Sequence, residues 1–371
     1  MTELPVRQDD LVALAALLRS AADPYPACRR WRAERPVARP REGLFVFSRF
    51  ADCEAVLGDP AFGKAEDGVP HRGGGPAGRQ RGEGESEDRG ASAASGADAR
   101  SLLRLNPPDH TRLRRLVSRA FTPARVRALE PRIEAIAREL LEAASGAADG
   151  RFDLIEGLAL PLPVAVISEL LGVEPPDRPR LVSWSAALAR SLDPPFLISD
   201  EERGGMLGAY EEFAAYLRGL LPARRRDPGG DLISALVQAS DEGGTLTEDE
   251  VVGLCMLLLI AGHETTRSLI GSAVLALLCH PAQLAALRAA PGTPDPDSFR
   301  LDREGRRHLS FGHGIHFCLG APLARLEAAV ALRLLLPALP GLRVAAQPEW
   351  KPNVVLRGLE HLILEPAPAV R

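Results

Sequence analysis

With 371 residues, 46% of them hydrophobic, the chain is long enough to bury a large core. Its formal net charge of −4, from 45 basic and 49 acidic side chains, announces no basic surface, so nucleic acid is not expected as a partner. The five cysteines (Cys28, Cys53, Cys255, Cys279 and Cys318) are odd in number, widely spread and without a C-x-x-C, which argues against a disulfide framework and a zinc ribbon.

The N-terminal MTELPVRQDD has no basic stretch leading into an apolar run, so no secretory signal is expected there and a cytoplasmic, reducing location is. Pro36–Arg41 followed by the alternating Gly43–Ser48 predicts a short strand pair, and Arg49–Gly58 a short helix. Residues 66–100, rich in Gly, Ser, Ala, Arg and Glu, lack the apolar content to pack and predict a flexible loop. From His110 onward helical periodicity dominates. Helices are expected over about 109–119, 123–145, 161–171, 177–191, 201–223, 230–240 and 248–280.

The last of these is the clearest. Thr247 with Glu250 forms a capping box, Pro281 ends the helix, and VVGLCMLLLIAG is apolar on every side, so it belongs in the core. That run is twelve residues, whereas a membrane span needs about 20. His263, Glu264 and Arg267 follow it at once, so no membrane span is expected. A final helix is predicted from about Ala321 to Leu336, before Pro337, with small strands in the tail. The expected class is mostly α with minor β, as one domain over 1–371.

Three short patterns carry chemistry. In Phe311–Gly320, FGHGIHFCLG, the glycines Gly312, Gly314 and Gly320 let a backbone bend tightly against a flat ligand. Cys318 precedes a helix with Pro322 in its first turn, and the amides of a helix start favour a thiolate. A lone cysteine is more often a small buried hydrophobe. Within the predicted buried helix, Ala261–Thr266 reads AGHETT, and a Glu and a Thr in an apolar helix are costly unless paired or functional. The plain alternative pairs Glu264 with Arg267 and bonds Thr265 back to the helix. In DHTRLRRLV, His110 and Arg114 are four apart, on one helix face, and would suit carboxylates; a solvated basic face reads equally well.

Together these strings resemble cytochrome P450 of the soluble actinobacterial type. FGHGIHFCLG matches the F-x-x-G-x-[HR]-x-C-x-G haem loop at every defined position, and AGHETT is similar to the family's A-G-x-[DE]-T. LNPPDHTRLRRLVSRAFTP, LPLPVAVISELLGV and LRGLEHLILEP extend the likeness over nearly the whole chain. The resemblance implies haem b held by Cys318 as axial thiolate ligand, with Phe311 beside the sulfur and His316, His110 and Arg114 at the haem propionates. It implies an acid–alcohol pair, Glu264 and Thr265, that opens a local bulge in the helix and relays protons, with Ala261 and Gly262 leaving room for oxygen. It further implies a monooxygenase acting on a small apolar, natural-product-like substrate, with NAD(P)H electrons arriving through a ferredoxin reductase and a ferredoxin. Arg112, Arg115 and Arg119 would face elsewhere, toward an acidic electron donor.

The chain departs from the family in one place. Only 53 residues separate Thr265 from Cys318, roughly half the usual spacing, so a deletion is expected near 290–295. It would remove the E-x-x-R helix (the family's K-helix), the adjoining strands and a propionate-binding Arg, giving an incomplete P450 fold. Glu304–Arg307 spells E-x-x-R, but it lies 14 residues before Cys318, contains Gly305 and is too short to stand for that helix. Such a loss would leave the strands near 37–47 without partners. A catalytically impaired or non-catalytic haem- or partner-binding descendant is therefore the alternative expectation, and a helical binding protein without haem a distant third.

Overall fold

The computed structural model describes residues 10, 14, 23–64, 101–144, 149–194, 197–241, 244–287 and 308–368. The loop expected at 66–100, the deletion expected near 290–295 and the Glu304–Arg307 string lie outside these residues.

The chain opens with α1 (Tyr25–Glu34), β1 (Val37–Arg41), β2 (Leu44–Phe47) and α2 (Phe50–Gly58). Then come α3 (Asp109–Ala120), α4 (Pro123–Ala128), α5 (Glu130–Ala144) and β3 (Phe152–Asp153). A π-helical turn, Ile155–Ala159, leads into α6 (Pro161–Leu171), α7 (Arg178–Ala189), α8 (Asp200–Arg226) and α9 (Leu232–Gln238). The hairpin β4 (Ser240–Asp241) and β5 (Gly244–Thr245) precedes the long α10 (Glu248–Cys279) and α11 (Pro281–Leu287). After the Cys318 segment come α12 (Ala321–Leu335), β6 (Leu342–Val344), β7 (Glu349–Trp350), β8 (Leu359–His361) and β9 (Ile363–Pro366).

The expected helix over 123–145 is two helices. Thr122 caps α4 by accepting from the Arg125 amide, and α5 restarts at Glu130, with Pro131 in its first turn. The long helices are fixed by their starts. Ser199 with Glu202, and Thr247 with Glu250, form complete capping boxes on α8 and α10.

The core has two large apolar parts, and α10 runs through both. Its first half, Val251–Leu259, packs with Leu181, Trp184, Phe213 and Leu217 of α7 and α8. Its second half, Ile270–Leu277, packs with Ile133, Ile155, Leu162, Val330 and Leu364. Trp184 stacks on Phe213 with ring centroids 5.2 Å apart, locking α7 to α8. The polar residues His263–Arg267 fall between the two apolar parts.

The sheets are small. β3 and β6 both pair antiparallel with β9, and β7 pairs with β8. Among the described residues β1 and β2 form a sheet of two strands only, and Phe45 on β2 is 48% exposed. No helix of the described residues is long and apolar enough to cross a membrane.

Candidate functional site

The Cys318 segment is a compact loop tied by its own backbone. Gly312 and Gly314 both adopt the left-handed region, at φ +71° and +68°. A Cβ on Gly314 would collide with the Leu57 carbonyl oxygen at the end of α2, so only glycine lets the loop lie against that helix. The Cys318 amide donates to the Phe311 carbonyl (2.8 Å), and the Phe317 amide to that of Gly314 (3.1 Å). The Arg325 guanidinium sits 4.3 Å from the Phe311 ring centroid, and Gly320 caps α12.

Cys318 is half-buried and carries no disulfide. Cys255 is the contrast: complete burial pushes its thiol up to about 12, which marks it as an inert core residue.

Three donor side chains gather beside this loop. His110 on α3 and His316 have ring centroids 4.4 Å apart, and Arg114 Nη2 donates to the Phe317 carbonyl at 2.6 Å. Burial lowers His110, with the Arg114 charge adding to it. Burial also lowers His316, to about 4, aided by the charges of His110, Lys64 and Arg114. His110 Nε2 is buried with no hydrogen-bond partner. Arg112 is half-buried and ion-paired with Glu250 on α10, a partner the sequence did not suggest. Arg115 is exposed, and the side chain of Arg119 lies outside the described set.

On α10, Ala261, Thr265 and Leu269 form an exposed stripe four residues apart, with Gly262 half-buried beside it. The residues between, His263, Glu264, Thr266 and Arg267, are buried. The Thr265 hydroxyl donates to the Ala261 carbonyl at 2.6 Å, as the plain reading expected. Arg267 Nη1 is only a loose neighbour of Glu264, at 3.9 Å. The close partner is one the sequence did not suggest: Lys351 Nζ, 2.7 Å from Glu264 Oε2. Burial alone would raise the Glu264 carboxyl, but the hydrogen bonds and charges of His263 and Lys351 outweigh it and hold the group at about 2.

The expected helix bulge is absent, for α10 is continuous α-helix from Glu248 to Cys279. The Thr265 hydroxyl lies back along its own helix and Glu264 is drawn sideways to Lys351, so neither pries the backbone ladder open. A second unanticipated residue is Glu327 on α12. It is buried, hydrogen-bonded to Thr266 and raised to about 8 by burial, so it is neutral at pH 7. Its Oε2 has no partner. Neither Lys351 nor Glu327 stands in a local pattern that would have marked it.

The comparisons with known proteins give the family. The profile described as Cytochrome P450 matches residues 208–290. Cytochrome P450 monooxygenase PikC of Streptomyces venezuelae is 38% identical, over 92% of this chain and 91% of the relative. The chain belongs to the cytochrome P450 family. The vitamin D(3) 25-hydroxylase of Pseudonocardia autotrophica is 34% identical to this P450, covering 92% of this chain and 93% of the relative. Among solved structures, ligand-free Mycobacterium smegmatis CYP164A2 superposes with a TM-score of 0.76 at 37% identity, covering 95% of this chain and 99% of the other.

The family implies haem iron, and the residues present in this P450 fit it. His110, His316 and Arg114 are donors on which, among the described residues, no carboxylate is seated, and one His110 nitrogen is a buried orphan. Such a set suits the carboxylates of a bound anion. The glycine loop presents a half-buried thiol, and the open stripe of α10 is apolar apart from one hydroxyl.

Proposed function

We propose that this P450 is a haem-thiolate monooxygenase that oxidises a small apolar substrate of the natural-product kind, using O2 and electrons from NAD(P)H through a ferredoxin reductase and a ferredoxin. When bound, the haem supplies the iron that activates oxygen, tuned by a thiolate ligand. Cys318 is that ligand, and Phe311 and Gly320 flank it. Gly312 and Gly314 hold the loop flat against α2. His110, His316 and Arg114 bind the propionates. Ala261 and Gly262 keep the α10 face low, Thr265 presents the hydroxyl that passes a proton, and Glu264 is the acid behind it.

One observation carries this reading: a half-buried thiol at the foot of α12 set beside three cationic or donor groups that lack a carboxylate. Names of relatives, among them a mycinamicin IV hydroxylase/epoxidase from Micromonospora griseorubida at 35% identity, favour hydroxylation or epoxidation. The reduced, carbon-monoxide-bound spectrum tests it. A thiolate-type Soret band is expected, and Cys318→Ala abolishes it; survival of that band in the variant overturns the ligand assignment.

A second reading, a P450 with weakened haem retention and poor turnover, rests on the expected loss near 290–295. The alignment with PikC runs over 404 positions against 371 residues here, so the relative has residues with no counterpart in this chain. The family profile stops at residue 290, and the β1–β2 hairpin has no third strand among the described residues. A thiol-type carbon-monoxide band, with haem lost on gel filtration, supports this reading over the first.

A further inference from the structure

The three donors beside the Cys318 loop bring little permanent charge. Arg114 is always a cation, whereas His110 and His316 are imidazoles, which hold a second proton only where the site favours it. Haem carries two propionates, so Arg114 alone leaves one of them without a permanent counter-charge. The deletion expected near 290–295 would take away the further propionate-binding Arg of the family.

A fourth cation is tied to the same place through its main chain. Asn106 pairs with Lys64 as one peptide group pairs with another. Its Oδ1 accepts from the Lys64 amide and its Nδ2 donates to the Lys64 carbonyl, both at 2.8 Å. The Asn106 carbonyl accepts the His110 amide at 2.9 Å in the first turn of α3, and the His110 ring lies 4.4 Å from that of His316. The clasp fits closely, for a Cβ on Gly63 would stand 3.0 Å from Asn106 Oδ1. At the other end of this stretch, α2 lies against the Cys318 loop, where a Cβ on Gly58 would stand 3.2 Å from the His313 ring. Residues 58–64 are therefore held to the loop at one end and to α3 at the other.

The Lys64 ammonium takes no part in the clasp. The residue is exposed, and among the described residues no carboxylate is paired with it. Its charge is one of those that act on His316. Bonding both polar groups of the Lys64 main chain fixes where its flexible four-carbon stem begins and leaves the ammonium to find an anion.

We propose that Lys64 is a fourth haem-binding residue, which with Arg114 supplies the second permanent positive charge for the two propionates, and that Asn106 is the residue that positions it. This rests on the reading of the chain as a haem protein ligated by Cys318. Lys64 does no chemistry; it sets how tightly haem is kept. The contact is an exposed one, so its effect is modest and screened by salt.

The test mixes the full-length holoprotein with excess apomyoglobin at low salt and reads the rate of haem transfer. Lys64→Met loses haem roughly 3- to 5-fold faster than the parent, and Lys64→Arg keeps the parent rate. In about 1 M salt, where the screening length falls to about 3 Å, the gap between Lys64→Met and the parent closes. Asn106→Ala speeds transfer less in the Lys64→Met background than in the parent, since the clasp acts through that ammonium. Reconstitution with the iron porphyrin dimethyl ester, which lacks the carboxylates, makes the Lys64→Met and parent rates equal. Equal rates with haem itself, a gap that survives in about 1 M salt, or the same acceleration with the ester overturns the proposal. The thiolate-type carbon-monoxide band persists in every Lys64 variant. Failure of the Cys318 reading shows instead as a missing band in the parent.

Discussion

The Cys318 loop and the middle of α10 both hold polar groups, and they satisfy them in opposite ways. In the loop the backbone bonds are local, Cys318 to Phe311, Phe317 to Gly314 and Gly312 to Leu309, with Arg114 added from α3 onto the Phe317 carbonyl. In α10 the partners come from far along the chain. Glu264 meets Lys351 at a separation of 87 residues, Arg267 meets Glu360 at 93, and His263 lies 3.4 Å from Ser185 at 78. The loop is a backbone device, sensitive to a single Cβ. The helix is a charge device, sensitive to the loss of a distant partner and therefore to pH.

That contrast can be broken by substitution, and the largest effect is expected in the loop. Gly314→Ala places a Cβ on a left-handed residue and against the Leu57 carbonyl. It should cost about 3 kcal/mol in denaturant unfolding, with haem content falling alongside. An unchanged midpoint would mean that the loop and α2 are not in contact.

Asp193→Ala comes next. It strands the Val354 and Val355 amides and removes one of the two carboxylates paired with Arg190, the other being Glu202, at roughly 2–3 kcal/mol. Chemical denaturation measures it, and hydrogen exchange at Val354 and Val355 should quicken while the Cys318 loop stays protected.

Glu327 sharpens the pH half of the comparison. Its carboxyl is raised to about 8 in the folded protein from 4.5. The unfolded chain therefore releases its proton first, and stability falls as pH rises from 4.5 through about 8, then levels off. Glu327→Gln should flatten that fall, seen as a smaller loss of Tm between pH 5 and pH 8, on the order of a few degrees. A parallel curve would show that the acid does not stay neutral.

The smallest structural effect is expected from Thr265→Ala, which loses only a bond back to its own helix. Stability should change by less than about 0.5 kcal/mol, while product formed per oxygen consumed drops. A large fall in Tm would give Thr265 a structural role instead.

The sequence by itself determined what short-range patterns can encode. Capping boxes at Ser199 and Thr247 set the starts of the two longest helices, and FGHGIHFCLG carried the loop whole, because its turns need only its own glycines and amides. His110 and Arg114, four apart on one helix, were legible for the same reason. Tertiary structure alone decided where Glu264 points, that Arg112 is bound to Glu250, and that Glu327 is buried and neutral. Lys351 in EWKPN looks like any surface lysine, since its role depends on a turn folding back onto a helix 87 residues earlier. A charge in an apolar helix announces that a partner is needed; which partner arrives is fixed by packing, over distances that no local spacing records.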